Sequence, residues 1–305
     1  MAFNWQTFRT RTLTAAIFVI VMLTGLLWNQ WSFLILFSII HFGCWWEYLR
    51  LMEKIYNSKI DSFIKYFFCV CGYLVFLAVG YNEYSYDFVI TFSGIEFSLK
   101  WGLIILFIVS LFAFLLQNKQ LPTKLKWACV LGFVYISLCW GLMIDMYYVI
   151  LSRDGVSNDK ILWKTFSIEE YFPIIIIGSI WVNDTMAYIV GSLMGKTPLS
   201  KISPKKTWEG TIGGVILSVI VIGILNLYLF DFKEISPFYH WFLIPAIAAI
   251  AGSFGDLLES KLKRMAEVKD SGRIMPGHGG FLDRFDSLLL ATPFVWLYVK
   301  IFLNY

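Results

Sequence analysis

The chain has 305 residues, 58% of them hydrophobic and 15% charged, with a formal net charge of +4 and a mean hydropathy of +0.69. A water-soluble domain carries roughly a quarter charged residues, so the composition excludes one and points to an integral membrane protein. The modest positive charge makes no case for nucleic acid and is read as a topology signal.

A spanning helix needs about 20 largely apolar residues. That ruler finds nine segments, with cores near 12–28, 31–46, 63–81, 101–116, 127–150, 173–191, 211–230, 241–255 and 288–303. The first follows MAFNWQTFRTR, and no small-residue cleavage site follows TLTAAIFVIVMLTGLLW, so it reads as a retained anchor and not a secretory signal. If the N-terminus is cytoplasmic, all but six of the 25 basic residues fall in cytoplasmic segments; the six are Lys100, Arg153, Lys160, Lys164, Lys233 and Lys300. The positive-inside rule then predicts a cytoplasmic N-terminus, residues 256–287 on the same side, and Tyr305 on the other.

The five cysteines, Cys44, Cys69, Cys71, Cys129 and Cys139, lie in or beside apolar segments. Their odd number and lack of metal-ligand company predict reduced core residues. His41 and His240 have no polar company in the sequence and are assigned nothing. No Pro-, Ser- or acid-rich linker divides the chain. The expected fold is an all-α integral membrane protein of about nine transmembrane helices, with about five in residues 1–170 and a catalytic region in residues 171–305. Its polar active site belongs to the C-terminal half, on the cytoplasmic side.

Three polar places interrupt the oil. In IWVNDTMAYIVGSLMGKTPLS, Asn183 and Asp184 stand inside the sixth segment. An ionisable residue at that depth is a functional-site candidate, against the plainer reading of a helix-to-helix hydrogen bond. Asp145, near the end of the fifth segment, has a weaker claim. GSLMGKT in the same stretch imitates a phosphate-binding P-loop but has three residues, not four, between its first Gly and the Gly-Lys pair. Gly191 and Gly195 are better read as small residues for close helix packing or as the helix exit.

The second place is SKISPKKTWEGTIGG, residues 200–214. Lys201, Lys205 and Lys206 sit among Ser200, Ser203 and Thr207, a composition that suits anions. Lysines beside a membrane also serve as plain anchors, but Trp208 and Glu209 are more than an anchor requires.

The third place is GSFGDLLESKLKRMAEVKDSGRIMPGHGGFLDRFDS, residues 252–287. At the end of the eighth segment, Asp256, Glu259, Ser260 and Lys263 share one helical face. Pro276, Gly277, Gly279 and Gly280 predict a tight turn with exposed backbone N–H groups around His278, and Asp283 and Asp286 follow one helical turn apart. Asp256, Asp283 and Asp286 are candidate ligands for one or two hard divalent cations, because Mg²⁺ takes a few carboxylate oxygens plus substrate phosphates. Lys263, Arg264, Lys269, Arg273 and Arg284 supply cations for those phosphates. Metal plus cations around an anion is the arrangement of phosphoryl-type transfer.

The run Ser260, Lys263, Arg264, Lys269, Asp270, Gly272, Pro276, Gly277, His278, Gly279, Gly280, Asp283, Arg284, Asp286 resembles the signature of the CDP-diacylglycerol synthase (phosphatidate cytidylyltransferase) family. Met275, where the family usually has Leu, Ile or Phe, is a departure of similar volume. Asp184, SPKKTWEG and Asp256 extend the likeness to residues 180–290, whereas the first 170 residues share only hydropathy with it. The resemblance implies transfer of CMP from CTP to phosphatidic acid, giving CDP-diacylglycerol and pyrophosphate, with Mg²⁺ as cofactor and room for a second cation. It implies the inner membrane of a bacterial-type cell, with CTP, phosphatidic acid and membrane lipids as partners; a homodimer is compatible with it.

On that resemblance Asp283, Asp256, Lys263 and His278 are expected to be catalytic, with Asp256, Asp283 and Asp286 on metal. Ser260, Arg264, Lys269, Gly279, Gly280 and Arg284 are expected on substrate phosphates, and Lys205, Lys206, Trp208, Glu209 and Asp184 where lipid and nucleotide meet. His278 has a competing role, that of pinning its turn. Two rivals have less support. A transporter would spread its polar residues over several midplane helices, often in two related halves, and a structural scaffold leaves the crowded 256–286 segment unexplained. Another lipid phosphate, such as a prenyl-ether lipid, stays open as the acceptor.

Overall fold

The computed structural model describes residues 5–80, 89–92, 95–117, 121–148, 171–229, 238–274 and 279–303. Along the chain they form α1 (Trp5–Leu27), α2 (Gln30–Ile55), α3 (Ser62–Gly80), strands β1 (Val89–Phe92) and β2 (Ile95–Ser98), α4 (Leu99–Gln117), α5 (Thr123–Gly132), a π-helical turn (Phe133–Leu138) and α6 (Cys139–Tyr148). There follow α7 (Tyr171–Met194), α8 (Trp208–Leu229), α9 (His240–Met265) and α10 (Leu282–Phe302). Because α5, the π turn and α6 run on as one helical rod, the described residues hold one rod for each of the nine predicted segments. Seven are long and apolar enough to cross a membrane, and Thr12–Leu27 and Leu99–Leu115 are shorter apolar helices.

The expectation of an all-helical fold needs one small amendment. β1 and β2 pair antiparallel, Val89 opposite Ser98 and Phe92 opposite Ile95. The segment VITFSGIEFS has the β-branched and aromatic residues of strands, with two residues between the runs as a tight hairpin requires. It lies between two spans, where a helix-length ruler does not look.

Local signals place the helix ends. Asn29 caps α2, accepting from the Ser32 N–H at 2.8 Å while its own N–H donates to Ser32 Oγ at 3.0 Å. That reciprocal pair divides α1 from α2 across two residues. Large apolar side chains stay exposed along many helices, among them Ile17, Phe112, Leu193 and Ile212. Helices that are apolar on their outer faces as well as inside belong in lipid.

The chain divides into two compact units. The first comprises Met1–Tyr81, Asp87–Gly141 and Leu262–Phe285, so the segment that joins α9 to α10 folds with the N-terminal helices. Its core is aromatic: Trp45 packs on Phe68 and Phe133 with ring centres 6.0 and 5.1 Å apart. His41, expected without polar company, instead meets Ser137 Oγ on the π turn at 3.0 Å, and Trp45 Nε1 donates to the same hydroxyl at 2.8 Å.

The second unit comprises Asn82–Tyr86, Leu142–Lys261 and Asp286–Tyr305. In it α7 and α8 approach closely because small residues face each other. A Cβ added to Gly210 would fall 2.7 Å from the Ala187 carbonyl oxygen, and one on Gly214 would fall 2.7 Å from the Asn183 carbonyl oxygen. Asn183, Ala187 and Gly191 repeat every four residues on α7, opposite a Gly-x-x-x-Gly on α8, which is the close-packing motif of membrane helices. His240 finds a hydroxyl too, with Nδ1 2.6 Å from Tyr298 Oη. Asp145 accepts from Trp296 Nε1 at 2.6 Å and pairs with Lys300 at 3.4 Å, which accounts for that carboxylate as a structural one. All five cysteines are buried and free of disulfides.

Candidate active site

In the first unit the polar chemistry centres on Asp283, in the first turn of α10. Lys263 Nζ, from the last turn of α9, donates to its Oδ1 at 2.7 Å. Its Oδ2 accepts three bonds, from Ser271 N at 2.8 Å, Ser271 Oγ at 2.9 Å and Gly280 N at 2.8 Å. The loop can wrap the carboxylate so tightly because Gly279 adopts φ +86°, a left-handed conformation open to glycine. A Cβ there would also lie 2.6 Å from Asp283 Oδ2.

The ion pair is largely withdrawn from solvent, with side-chain exposures of 16% for Lys263 and 7% for Asp283. A lysine and three further donors favour the charged carboxylate. Arg264, Lys269, Arg273 and Arg284 are exposed on the same unit, so the anionic centre is accompanied by cations on the surface of that unit. The Gly280 N–H, expected to face phosphate, is engaged by Asp283. His278, Pro276 and Gly277 lie outside the described residues.

One residue of this cluster escaped the sequence reading. Glu47, on α2, is 1% exposed, and its carboxylate accepts from Phe281 N at 3.0 Å and Leu282 N at 2.9 Å, with Ser271 Oγ, whose single hydrogen is shared with Asp283, 2.8 Å away. The signal was available: an acidic side chain in the apolar run HFGCWWEYLRL is as anomalous as Asp184. It stands one residue past the 31–46 core assigned to the second segment and was passed over as flank.

In the second unit the corresponding carboxylate is Asp256, on α9. Lys206 Nζ pairs closely with Asp256 Oδ2, and Ser260 Oγ donates to Oδ1 at 3.2 Å. Asp256 and Ser260 therefore share the helical face expected of them. Glu259, next to Ser260, is fully buried.

Lys206 is delivered by a closed loop. Leu199 N donates to the Lys206 carbonyl at 2.7 Å and Trp208 N to the Thr197 carbonyl at 2.9 Å. The Glu209 carboxylate stitches the loop's start, accepting from Lys196 N at 3.2 Å, Thr197 N at 3.2 Å and Thr197 Oγ1 at 2.9 Å. Glu209 thus shapes this region by holding backbone, while Lys205 and Trp208 are exposed. Asp184 is exposed on α7 and accepts a long bond from Asn183 Nδ2 at 3.4 Å; that amide also reaches Ser253 Oγ on α9 at 3.4 Å. Asp286 is buried, with Oδ1 accepting from Ser287 N at 2.7 Å.

Among the described residues no three His, Cys, Asp or Glu side chains gather into a self-sufficient metal cage. Mg²⁺ is held by one or two carboxylates and completes its shell with water and substrate phosphate. Asp283 Oδ1 and both Asp256 oxygens have one partner each among the described residues, so each keeps lone-pair capacity for a cation. The donor set fits.

A profile of the Cytidylyltransferase family matches residues 9–302. The chain is 32% identical over 223 residues to the phosphatidate cytidylyltransferase of Bacillus subtilis (strain 168), which covers 59% of this chain and 82% of that protein. It is 52% identical over 115 residues to the phosphatidate cytidylyltransferase of Staphylococcus haemolyticus (strain JCSC1435), covering 37% of this chain and 43% of that protein. The protein of the same name from Staphylococcus saprophyticus subsp. saprophyticus is 49% identical over 115 residues, again 37% of this chain and 43% of that protein. Among the described residues seven helices long and apolar enough to cross a membrane, two lysine-paired aspartates on the signature helices, and a profile match from residue 9 to residue 302 lead to one conclusion: the chain belongs to the cytidylyltransferase family.

Proposed function

We propose that this protein transfers CMP from CTP to phosphatidic acid, forming CDP-diacylglycerol and pyrophosphate. The observation that carries the reading is the state of Asp283, a charged carboxylate fixed by Lys263, Ser271 and Gly280 within the signature segment. A lipid phosphate monoester, with a second pKa near 6 by analogy with phosphoserine, is largely ionised at neutral pH and needs no strong protein base. One of its oxygens bonds to the α-phosphorus of CTP as the bond to the β-phosphate bridging oxygen breaks, and pyrophosphate leaves.

The protein's work in such a reaction is alignment and charge stabilisation. A divalent cation bound with the nucleotide would neutralise the triphosphate; the carboxylates suited to hold such cations are Asp283 in the first unit and Asp256 in the second, with Asp286 as a further candidate. Lys263 and Lys206 are each paired with an aspartate, and each could also reach a substrate phosphate oxygen. Arg264, Lys269 and Arg284 bind phosphate. Lys205, Trp208 and Asp184 line the approach of the lipid headgroup, and the side that carries them is cytoplasmic. The test is purified protein with labelled CTP, phosphatidic acid and Mg²⁺. CDP-diacylglycerol and pyrophosphate should appear in equal amounts, only with both substrates and the metal; absence of product with active controls would reject the assignment.

A further inference from the structure

Glu47 is a buried acidic side chain in unit one that no part of the reaction above uses, yet the surrounding sequence is arranged around it. Its two oxygens take the N–H groups of Phe281 and Leu282, the last loop residue and the first residue of α10. Those donors have no partner within their own helix. A carboxylate in that position is a helix cap supplied from another helix, favoured also by the positive end of the α10 dipole.

Neighbouring residues make room for this contact. A Cβ on Gly272 would fall 2.0 Å from Glu47 Oε1, and one on Gly280 would fall 2.2 Å from both carboxylate oxygens. One turn before Glu47, Gly43 leaves space for the Phe281 ring, whose nearest atom would lie 2.2 Å from an added Cβ. Thus α2 offers a two-part socket in which Gly43 takes the Phe281 ring and Glu47 takes its backbone. Ser271 Oγ then lies 2.8 Å from Glu47 Oε2 and 2.9 Å from Asp283 Oδ2, joining the socket to the aspartate.

We infer that Glu47 is a positioning residue for cytidylyl transfer, a carboxylate on α2 that clamps the start of α10 and through it fixes Asp283. The inference rests on the proposed reaction for its functional half. The clamp itself can be read without activity, by amide hydrogen exchange.

The test compares the full-length wild-type protein with Glu47→Gln and Glu47→Asp in detergent. The Gln amide has one acceptor and turns an NH₂ toward the remaining donors. Exchange in peptides covering 281–285 should speed up by roughly tenfold or more, while peptides of α3 keep their wild-type rates. Because displacement of a reacting group by about 1 Å costs roughly a hundredfold in rate, kcat should fall by that order in Glu47→Gln with KM for CTP changed less than about threefold. Glu47→Asp, which keeps the charge, should recover part of both losses. Wild-type protection at 281–285, or wild-type kcat, in Glu47→Gln would overturn the inference. If Glu47→Gln does not fold, Glu47→Asp decides alone: graded loss of protection and kcat supports the clamp, and wild-type values of both reject it. Faster exchange in Glu47→Gln, together with a wild-type protein that transfers no cytidylyl group, would leave the clamp standing and reject the reaction.

Discussion

Asp283→Asn separates a carboxylate needed for chemistry from one needed to hold its loop. The substitution keeps the side chain's shape and removes its charge. Placed with its oxygen where Oδ2 stands, the Asn amide still accepts from Ser271 N, Ser271 Oγ and Gly280 N, but its NH₂ then confronts the Lys263 ammonium. The variant loses one charge-assisted bond, about 1.5–3 kcal/mol, and the three that remain become neutral-acceptor bonds of roughly half the strength. Breaking a buried pair outright costs about 3–5 kcal/mol. Lys263, at 16% exposure, can swing part of its charge to water, which favours the lower end, about 3 kcal/mol.

A loss of that size leaves most molecules folded, since native proteins have about 5–15 kcal/mol in hand. It lowers an unfolding midpoint by several degrees, at about 2–4 °C per kcal/mol. Turnover should fall far more. Removal of one preorganised charge-stabilising group costs about 10²–10³ in kcat, and a folded fraction near unity cannot produce such a drop. The measurements are thermal unfolding in detergent and nucleotidyl transfer across a Mg²⁺ titration, on the same preparation. Near-zero activity at every metal concentration, with a midpoint a few degrees down, is the expected pair of results. Wild-type turnover in folded Asp283→Asn would refute the role assigned to this carboxylate.

Gly214→Val should destabilise by about 1–3 kcal/mol, the usual cost of overpacking, because its branched side chain meets the Asn183 carbonyl; an unchanged unfolding midpoint would show that α7 and α8 are not locked as described. Glu209→Gln should loosen the 196–207 loop, so that a lysine-specific protease cuts at Lys201 and Lys205 faster than in wild type, and equal cleavage rates would contradict the stitching role. Reporter fusions should place residue 269 and Tyr305 on opposite faces of the membrane; finding both on one face would break the topology drawn from the lysines and arginines.

Most of the helical framework could be read from the sequence because a bilayer imposes one coarse requirement. Every backbone polar group in hydrocarbon must be satisfied within its own helix, so length and hydropathy suffice to find the rods, and all nine segments coincide with helices. The hairpin at 89–98 was missed for the same reason, since it obeys pairing rules and not span length. The partners of His41 and His240 were missed because Ser137 and Tyr298 are distant in sequence, and hydropathy carries no information on which helices touch.

The site was half legible, and the division follows from what spacing encodes. Positions three or four apart on one helix meet by geometry alone, so the pairing of Asp256 with Ser260 was foreseeable. Contacts made across helices leave no such trace in spacing: Lys263 on Asp283, Lys206 on Asp256, and Glu47 on the start of α10 each join segments separated by 20 residues or more in the chain. Those pairings change how the charges are understood. Reading the chain alone, we assigned the aspartates to metal and the lysines to phosphate, as two separate sets. The structure ties two of these aspartates, Asp283 and Asp256, each to a lysine, which answers a physical difficulty of that assignment. A partly buried carboxylate without a counter-ion carries a large desolvation cost and tends to take up a proton, leaving it a poor cation ligand. Pairing with a lysine offsets that cost, and a lysine is a flexible point charge, so the same residue that accompanies the aspartate could also turn to a substrate phosphate.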